Sequence, residues 1–172
     1  MMHWSHSTEL HTRGTPEGNN MRVAGKYDAY LAEPAPEKSH KNAAILFLSD
    51  IMGVWQNSRL LADESAAAGY LTLLVDLFYG DPVPVHKTED RSFDIQGWLA
   101  HGSDGKNPHS EEVVDPIIVD SINVLKDEYG IKRLGAVGYC FGAKVRDQSS
   151  RIHHLGVRLS ARLPRWISWG NV

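Results

Sequence analysis

Cysteine is nearly absent: Cys140 is the only one among 172 residues. An internal disulfide is therefore excluded, and a reducing compartment is the simpler expectation. No apolar run approaches the length of about 18 residues that a membrane-spanning helix needs. The opening stretch from Met1 to Asn20 is polar and His-containing and lacks the apolar centre of a secretion signal. Positive charge is not in excess either. The formal net charge is −3, which argues against broad binding to nucleic acid or to an anionic membrane. Neither an HExxH helix nor a cysteine pair is present, so no metal spacing stands out and no cofactor is expected. The chain has no GxGxxG after its first buried strand and no GxxxxGK[ST]. A nucleotide-binding module therefore has little support, although Val75-Asp76 ends a strand in the manner of a ribose contact. What remains is a cytoplasmic protein with one domain, and its 42% hydrophobic and 23% charged residues are enough for a real core.

The apolar pattern indicates an α/β protein. Ala43 to Leu48 (AAILFL) and Tyr70 to Leu77 (YLTLLVDL) are continuous apolar runs, as in strands covered on both faces. Gly25 to Glu33 alternates weakly and predicts a further strand, and Leu134 to Gly138 (LGAVG) predicts a short central one. Helical spacing predicts helices over Ser58 to Ala68, with Leu60, Leu61 and Ala67 inward, and over Phe93 to His101. A longer helix is predicted from Ser110 to Tyr129, with Val113, Ile117, Val124 and Leu125 facing the sheet. A hydroxyl cap and early carboxylates open it, and Gly130 stops it. Strands alternating with helices imply a parallel sheet flanked by helices. Residues 1–22 show no period and are expected to form a flexible leader, with the domain proper over 23–144.

One segment carries chemistry. Gly138-Tyr139-Cys140-Phe141-Gly142 has the G-x-nucleophile-x-G spacing of a nucleophile elbow, with cysteine in place of serine. In such an elbow the nucleophile stands on a tight strand-to-helix turn, and side chains two residues to either side would clash, hence the glycines. The thiol is held over the N-terminal end of the next helix, and the amide of Phe141 is placed to donate to a substrate oxyanion. A five-residue pattern is weak alone, and a buried structural cysteine is the commoner meaning. Its place after a predicted strand in an α/β pattern favours the nucleophile.

The stretches LFLSDIMGVWQNSRLLADESAAAGYLTLLVDLFYGDP, WLAHGSDGKNPHSEEVVDPI and KRLGAVGYCFGAK resemble the fungal branch of the dienelactone hydrolase family, over residues 25–144. The resemblance implies an α/β-hydrolase fold and hydrolysis of a small-molecule carboxylic ester or lactone through a Cys-His-Asp triad, without a metal. It implies Cys140 as the nucleophile and the backbone amide of Ile51 as the second oxyanion donor beside that of Phe141. It also implies that Asp50, in SDIMG, stands where the family has an acidic residue that contacts the resting thiol and helps to activate it. Asp50 is one methylene shorter than the more usual glutamate, and a loop or capping role is the competing reading. Asp76 and Asp81 resemble family positions and are assigned to loop structure.

In this fold the acid and the histidine follow the nucleophile. Nothing after Lys144 resembles the family's later Asp-bearing strand or its His-Gly loop, so the domain reads as an incomplete α/β-hydrolase fold, truncated after the elbow. Residues 145–172 hold five arginines, no lysine and one aspartate, and predict a non-homologous, disordered tail. Val145-Arg146 can be encoded across GTAAG, the usual start of an intron, so a translated intron is one origin for that tail. His153 and His154 are poor substitutes for the base: along a helix they rise about 20 Å from Cys140. His86, His101 and His109 precede the elbow and read as polar loop residues. The expectation is therefore an inactive hydrolase chain. The alternative is a non-catalytic fragment or binding module acting through its basic tail. Without later strands the Leu134 to Gly138 strand would form an exposed apolar edge, prone to self-association.

Overall fold

In a computed structural model describing residues 14–148 and 167–171, the chain forms a six-stranded sheet covered by helices on its two faces. The strands are β1 (Asn19–Val23), β2 (Tyr27–Ala32), β3 (Ala43–Leu48), β4 (Leu71–Val75), β5 (Arg133–Gly138) and β6 (Ile167–Asn171), in the spatial order β1-β2-β4-β3-β5-β6. The helices are α1 (Gln56–Ala67), α2 (Ile95–His101), α3 (Glu111–Asp127) and α4 (Phe141–Gln148).

The centre of the sheet follows from the apolar runs. All six residues of β3 are buried, and β3 pairs in parallel with β4 on one side and β5 on the other. Successive side chains alternate between faces. Ala44, Leu46 and Leu48 enter the larger core with Ile117, Ile118 and Leu125 of α3, while Ile45 and Phe47 enter the smaller core with Ala62 and Ala66 of α1. A run without polar residues is therefore what a strand buried on both faces requires.

Around that centre the structure corrects several expectations. The sheet is mixed, not parallel: β1, β2 and β6 each run antiparallel to their neighbours. Residues 19–22, assigned to a flexible leader, belong to β1, which is joined to β2 by a tight turn in which Lys26 N donates to the Val23 carbonyl (2.9 Å). On α1 the buried positions are Ser58, Ala62 and Ala66, whereas Ala67 is exposed and Leu60 and Leu61 are half-buried. On α3 Val114, Ile118 and Ile122 join Ile117, Val124 and Leu125 in the core, while Val113 is only half-buried. Ser110 stands at the N-cap of α3 in extended conformation, but its hydroxyl bonds no helix amide. It faces the carboxylate of Glu112 instead and holds that group below its ordinary range.

The tail differs as well. Residues 145–148 continue α4, and β6 pairs with β5 in the register Leu134↔Gly170 and Val137↔Ile167. The β5 edge is therefore covered, and the premise of an open apolar edge does not hold. Residues 1–13, 149–166 and 172, and with them His153, His154 and most of the tail assigned to disorder, lie outside the described residues.

Candidate active site

The site is built where β3 and β5 end side by side. Leu48 and Gly138 are paired neighbours on these parallel strands, and Asp50 and Cys140 each lie two residues further on, so both stand at the same strand-end edge. Cys140 has φ +51° and is exposed. That left-handed conformation costs a residue with a Cβ about 1–3 kcal/mol, and such strain persists only where the surroundings impose it. Here they do. β5 ends at Gly138 and α4 starts at Phe141, so the chain reverses within two residues, with Gly142 N donating to the Tyr139 carbonyl (2.9 Å) and Lys144 N to the Cys140 carbonyl (3.2 Å).

The two flanking glycines are required by close approach. A Cβ on Gly138 would overlap the backbone of Gly142, and one on Gly142 would overlap the carbonyl of Leu48 in the neighbouring strand. The first turn of α4 thus lies directly on the end of β3, which brings the elbow against the loop that starts at Ser49. The strain at position 140 has its own test. The Cys140→Gly variant should be more stable than Cys140→Ala by about 1 kcal/mol, because only glycine adopts this φ freely; thermal melts of the two variants in the opposite order would show that the left-handed turn is not strained.

The loop from Asp50 to Gly53 folds back on itself. Gly53 N donates to the Asp50 carbonyl (3.0 Å), and Met52 N donates to Asp50 Oδ1 (2.8 Å). Because the peptide is planar and trans, a carbonyl of Asp50 turned toward Gly53 leaves the Ile51 N–H facing the opposite way. Among the described residues no hydrogen bond uses the amide of Ile51 or that of Phe141. The two segments that meet at this strand-end edge thus each carry a backbone amide with no partner among the described residues.

Asp50 is half-buried and makes no hydrogen bond to Cys140; within the described residues its carboxylate closes its own turn through Met52. Burial pushes its pKa up, opposed by the Met52 amide and by the Trp55 indole, which favours the charge without meeting hydrogen-bond geometry. The sign follows. An acid that holds its proton more tightly when folded adds stability below its unfolded pKa and loses that contribution as pH rises through its folded pKa. Asp50→Asn, whose Oδ1 still accepts from Met52, should melt higher than the parent at pH 7, with the gap closing toward acid. A lower melt of the Asn variant at pH 7 would contradict this burial penalty.

The two carboxylates assigned to loops do hold loops. Asp76, buried at the end of β4, accepts from Phe78 N (3.1 Å) and Gly80 N (2.6 Å). Asp81 Oδ2 accepts from Ser103 N (2.8 Å) and lies 3.3 Å from His109 Nε2, and the Asp81 carbonyl accepts from Trp98 Nε1 (3.2 Å). His109 lies in the loop between α2 and α3, as expected, but it is not exposed. Its side chain is fully buried, with ring centroids 4.3 Å from Trp98 and 5.2 Å from Phe78. Burial pushes its pKa down, against the pull of Asp81. With Nε2 facing a carboxylate, the proton of the neutral ring is assigned to Nε2. His109 is thus committed to the loop, while His86 and His101 are exposed. Among the described residues no hydrogen bond reaches the Cys140 thiol, and no group of histidine, cysteine and acidic side chains could hold a metal ion. No helix of the described residues is long and apolar enough to cross a membrane.

A cysteine at left-handed φ on a strand-to-helix turn, at the end of a sheet with a parallel centre and helices on both faces, is the architecture of the α/β-hydrolase class. The particular family follows from comparison: residues 27–156 match the dienelactone hydrolase family, and the chain belongs to it. That match runs past Lys144, where the sequence changes character. The chain is 44% identical over 121 residues to a protein named hydrolase pyvD of Aspergillus violaceofuscus, covering 70% of this chain and 45% of that protein. It is 38% identical over 134 residues to hydrolase tropI of Talaromyces stipitatus, covering 76% and 50%. It is 37% identical over 137 residues to dienlactone hydrolase 2 of Gibberella moniliformis, covering 76% and 54%. The chain thus spans about half the length of the curated relatives it matches.

Proposed function

We propose that Cys140 is the nucleophile of a carboxylic ester or lactone hydrolase of the dienelactone hydrolase type. The observation that carries this reading is the strained, exposed Cys140 at the same strand-end edge as the Ile51 and Phe141 amides, which have no partner among the described residues. In the reaction Sγ attacks the acyl carbon and a C–S bond forms. The carbonyl oxygen takes the negative charge, facing the two amides. As the tetrahedral species collapses, the ester C–O bond breaks, and the alkoxide leaves as the alcohol with the proton that came from the thiol. For a lactone that alcohol stays tethered to the acyl group. Water then attacks the thioester, releasing the carboxylic acid and restoring the thiol.

The second half of this cycle needs a positioned base. A base that is not held contributes little, and the described residues hold none beside Cys140: His109 is locked against Asp81, and Asp50 closes its own turn. The 172-residue chain should therefore be acylated without rapid turnover, with Asp50, at the same strand-end edge, as the carboxylate nearest in role to an activating group. The test is peptide mapping by mass spectrometry after exposure to p-nitrophenyl acetate. An acetyl group on the Cys140 peptide is the expected result. Acetylation confined to lysines, with Cys140 untouched, would overturn the nucleophile.

A further inference from the structure

Asp76 is a buried carboxylate that the reaction above does not use, and its contacts reach both sides of the site. On one side stands the Asp50–Gly53 loop. Gly53 has φ +67°, and a Cβ there would lie 3.2 Å from Asp76 Oδ1 and 3.0 Å from Pro82 Cβ, so this loop rests on the Asp76 carboxylate and the segment after it. Val83 N donates to the Ile51 carbonyl (2.7 Å), a second tie between the same two loops. On the other side stands the elbow. Asp76 Oδ1 accepts from Phe78 N, and the ring of Phe78 lies 5.1 Å, centroid to centroid, from that of Phe141. Oδ2 accepts from Gly80 N at 2.6 Å and fixes the turn between these two contacts. Asp76 itself is anchored to the sheet by its own amide, which donates to the Asp28 carbonyl (2.9 Å).

We infer that Asp76 is the positioning residue of the oxyanion hole: through Gly53 and Val83 it sets the loop that carries the Ile51 amide, and through Phe78 it sets Phe141. It touches no substrate, and its action is to hold two donors from different loops at a fixed separation. Oxyanion stabilisation depends on such fixed geometry, since a donor that must reorganise during the reaction loses most of its advantage. A full carboxylate suits the task because it accepts two amide protons at once. An asparagine has one accepting oxygen, and its amide group would face a second N–H donor.

This inference rests on the nucleophile reading, and the test separates the two. Cys140 is reacted with two reagents in single-turnover experiments. p-Nitrophenyl acetate forms an oxyanion as it acylates the thiol, whereas iodoacetamide alkylates the thiol by displacement and forms none. The ratio of the two rates reports the oxyanion hole and cancels changes in thiol access or reactivity. In Asp76→Asn the ratio should fall roughly tenfold or more, while alkylation stays within about twofold of the parent. Asp76→Glu, which keeps two accepting oxygens but displaces them by one methylene from Phe78 N and Gly80 N, should lower the same ratio, and it decides the matter if Asp76→Asn does not fold. An unchanged ratio in a folded variant overturns the positioning role. Loss of both rates together marks a general structural role and also overturns it. Absence of acylation in the parent, with alkylation intact, would instead sink the nucleophile reading.

Discussion

Gly142→Ala should be among the most destabilising single-methyl changes available in this chain. The added Cβ would meet the carbonyl of Leu48, which is backbone in the middle of the sheet, paired in parallel on both sides and buried. A flexible side chain can swing away from an intruding methyl group, but a strand carbonyl held between two neighbours cannot. Either β3, which lines both cores, shifts, or the first turn of α4 lifts from it and draws Phe141 out of the larger core. Overpacking of this kind costs about 3 kcal/mol or more. In a domain of this size that lowers the melting temperature by roughly 6–12 °C, and folded domains hold only about 5–15 kcal/mol in all. Thermal melts followed by circular dichroism measure it. A variant that melts with the parent would mean that α4 does not rest on β3 as described.

Much of this arrangement was legible in the sequence, for a physical reason. A strand covered on both faces has to be apolar throughout, so β3 and β4 announce themselves, and a helix resting on a strand end needs glycine, so Gly138 and Gly142 do too. Where the signal depended on a partner elsewhere in the chain, it was weak. The five residues of β6 alternate Ile167 and Trp169 with Ser168 and Gly170, a period too short to stand out until β5 is beside it. β1 is mostly polar and is a strand because β2 pairs with it. On α1 the inward positions went to Ala62 and Ala66 in place of the leucines, and small residues let the helix lie close on β4 and β2. Nothing local links Asp81 to His109, 28 positions apart, or Asp76 to Gly53. Both pairs arise because loops from separate strands meet at one edge of the sheet.

Cys140→Ala should remove the acyl-enzyme formed at the elbow. The proposed nucleophile is the thiol, and alanine offers no nucleophilic atom at position 140, so the variant has no route to an acyl intermediate at the elbow turn. The fold should survive. Alanine is smaller than cysteine, position 140 is exposed, and the left-handed strain at φ +51° is the same for both residues. Loss of acylation with an unchanged melting temperature is therefore the expected pair of results. It separates a chemical role from a structural one, since a cysteine retained for packing would show the reverse.

The most direct measurement is the time course of p-nitrophenol release from p-nitrophenyl acetate by the purified chain, run beside the Cys140→Ala variant. The account predicts a burst of one equivalent or less from the parent, little release beyond background afterwards, and no burst from the variant. Sustained turnover that depends on Cys140 would contradict the proposal that the chain is acylated without rapid turnover. An equal burst from both proteins would contradict the assignment of Cys140 as nucleophile.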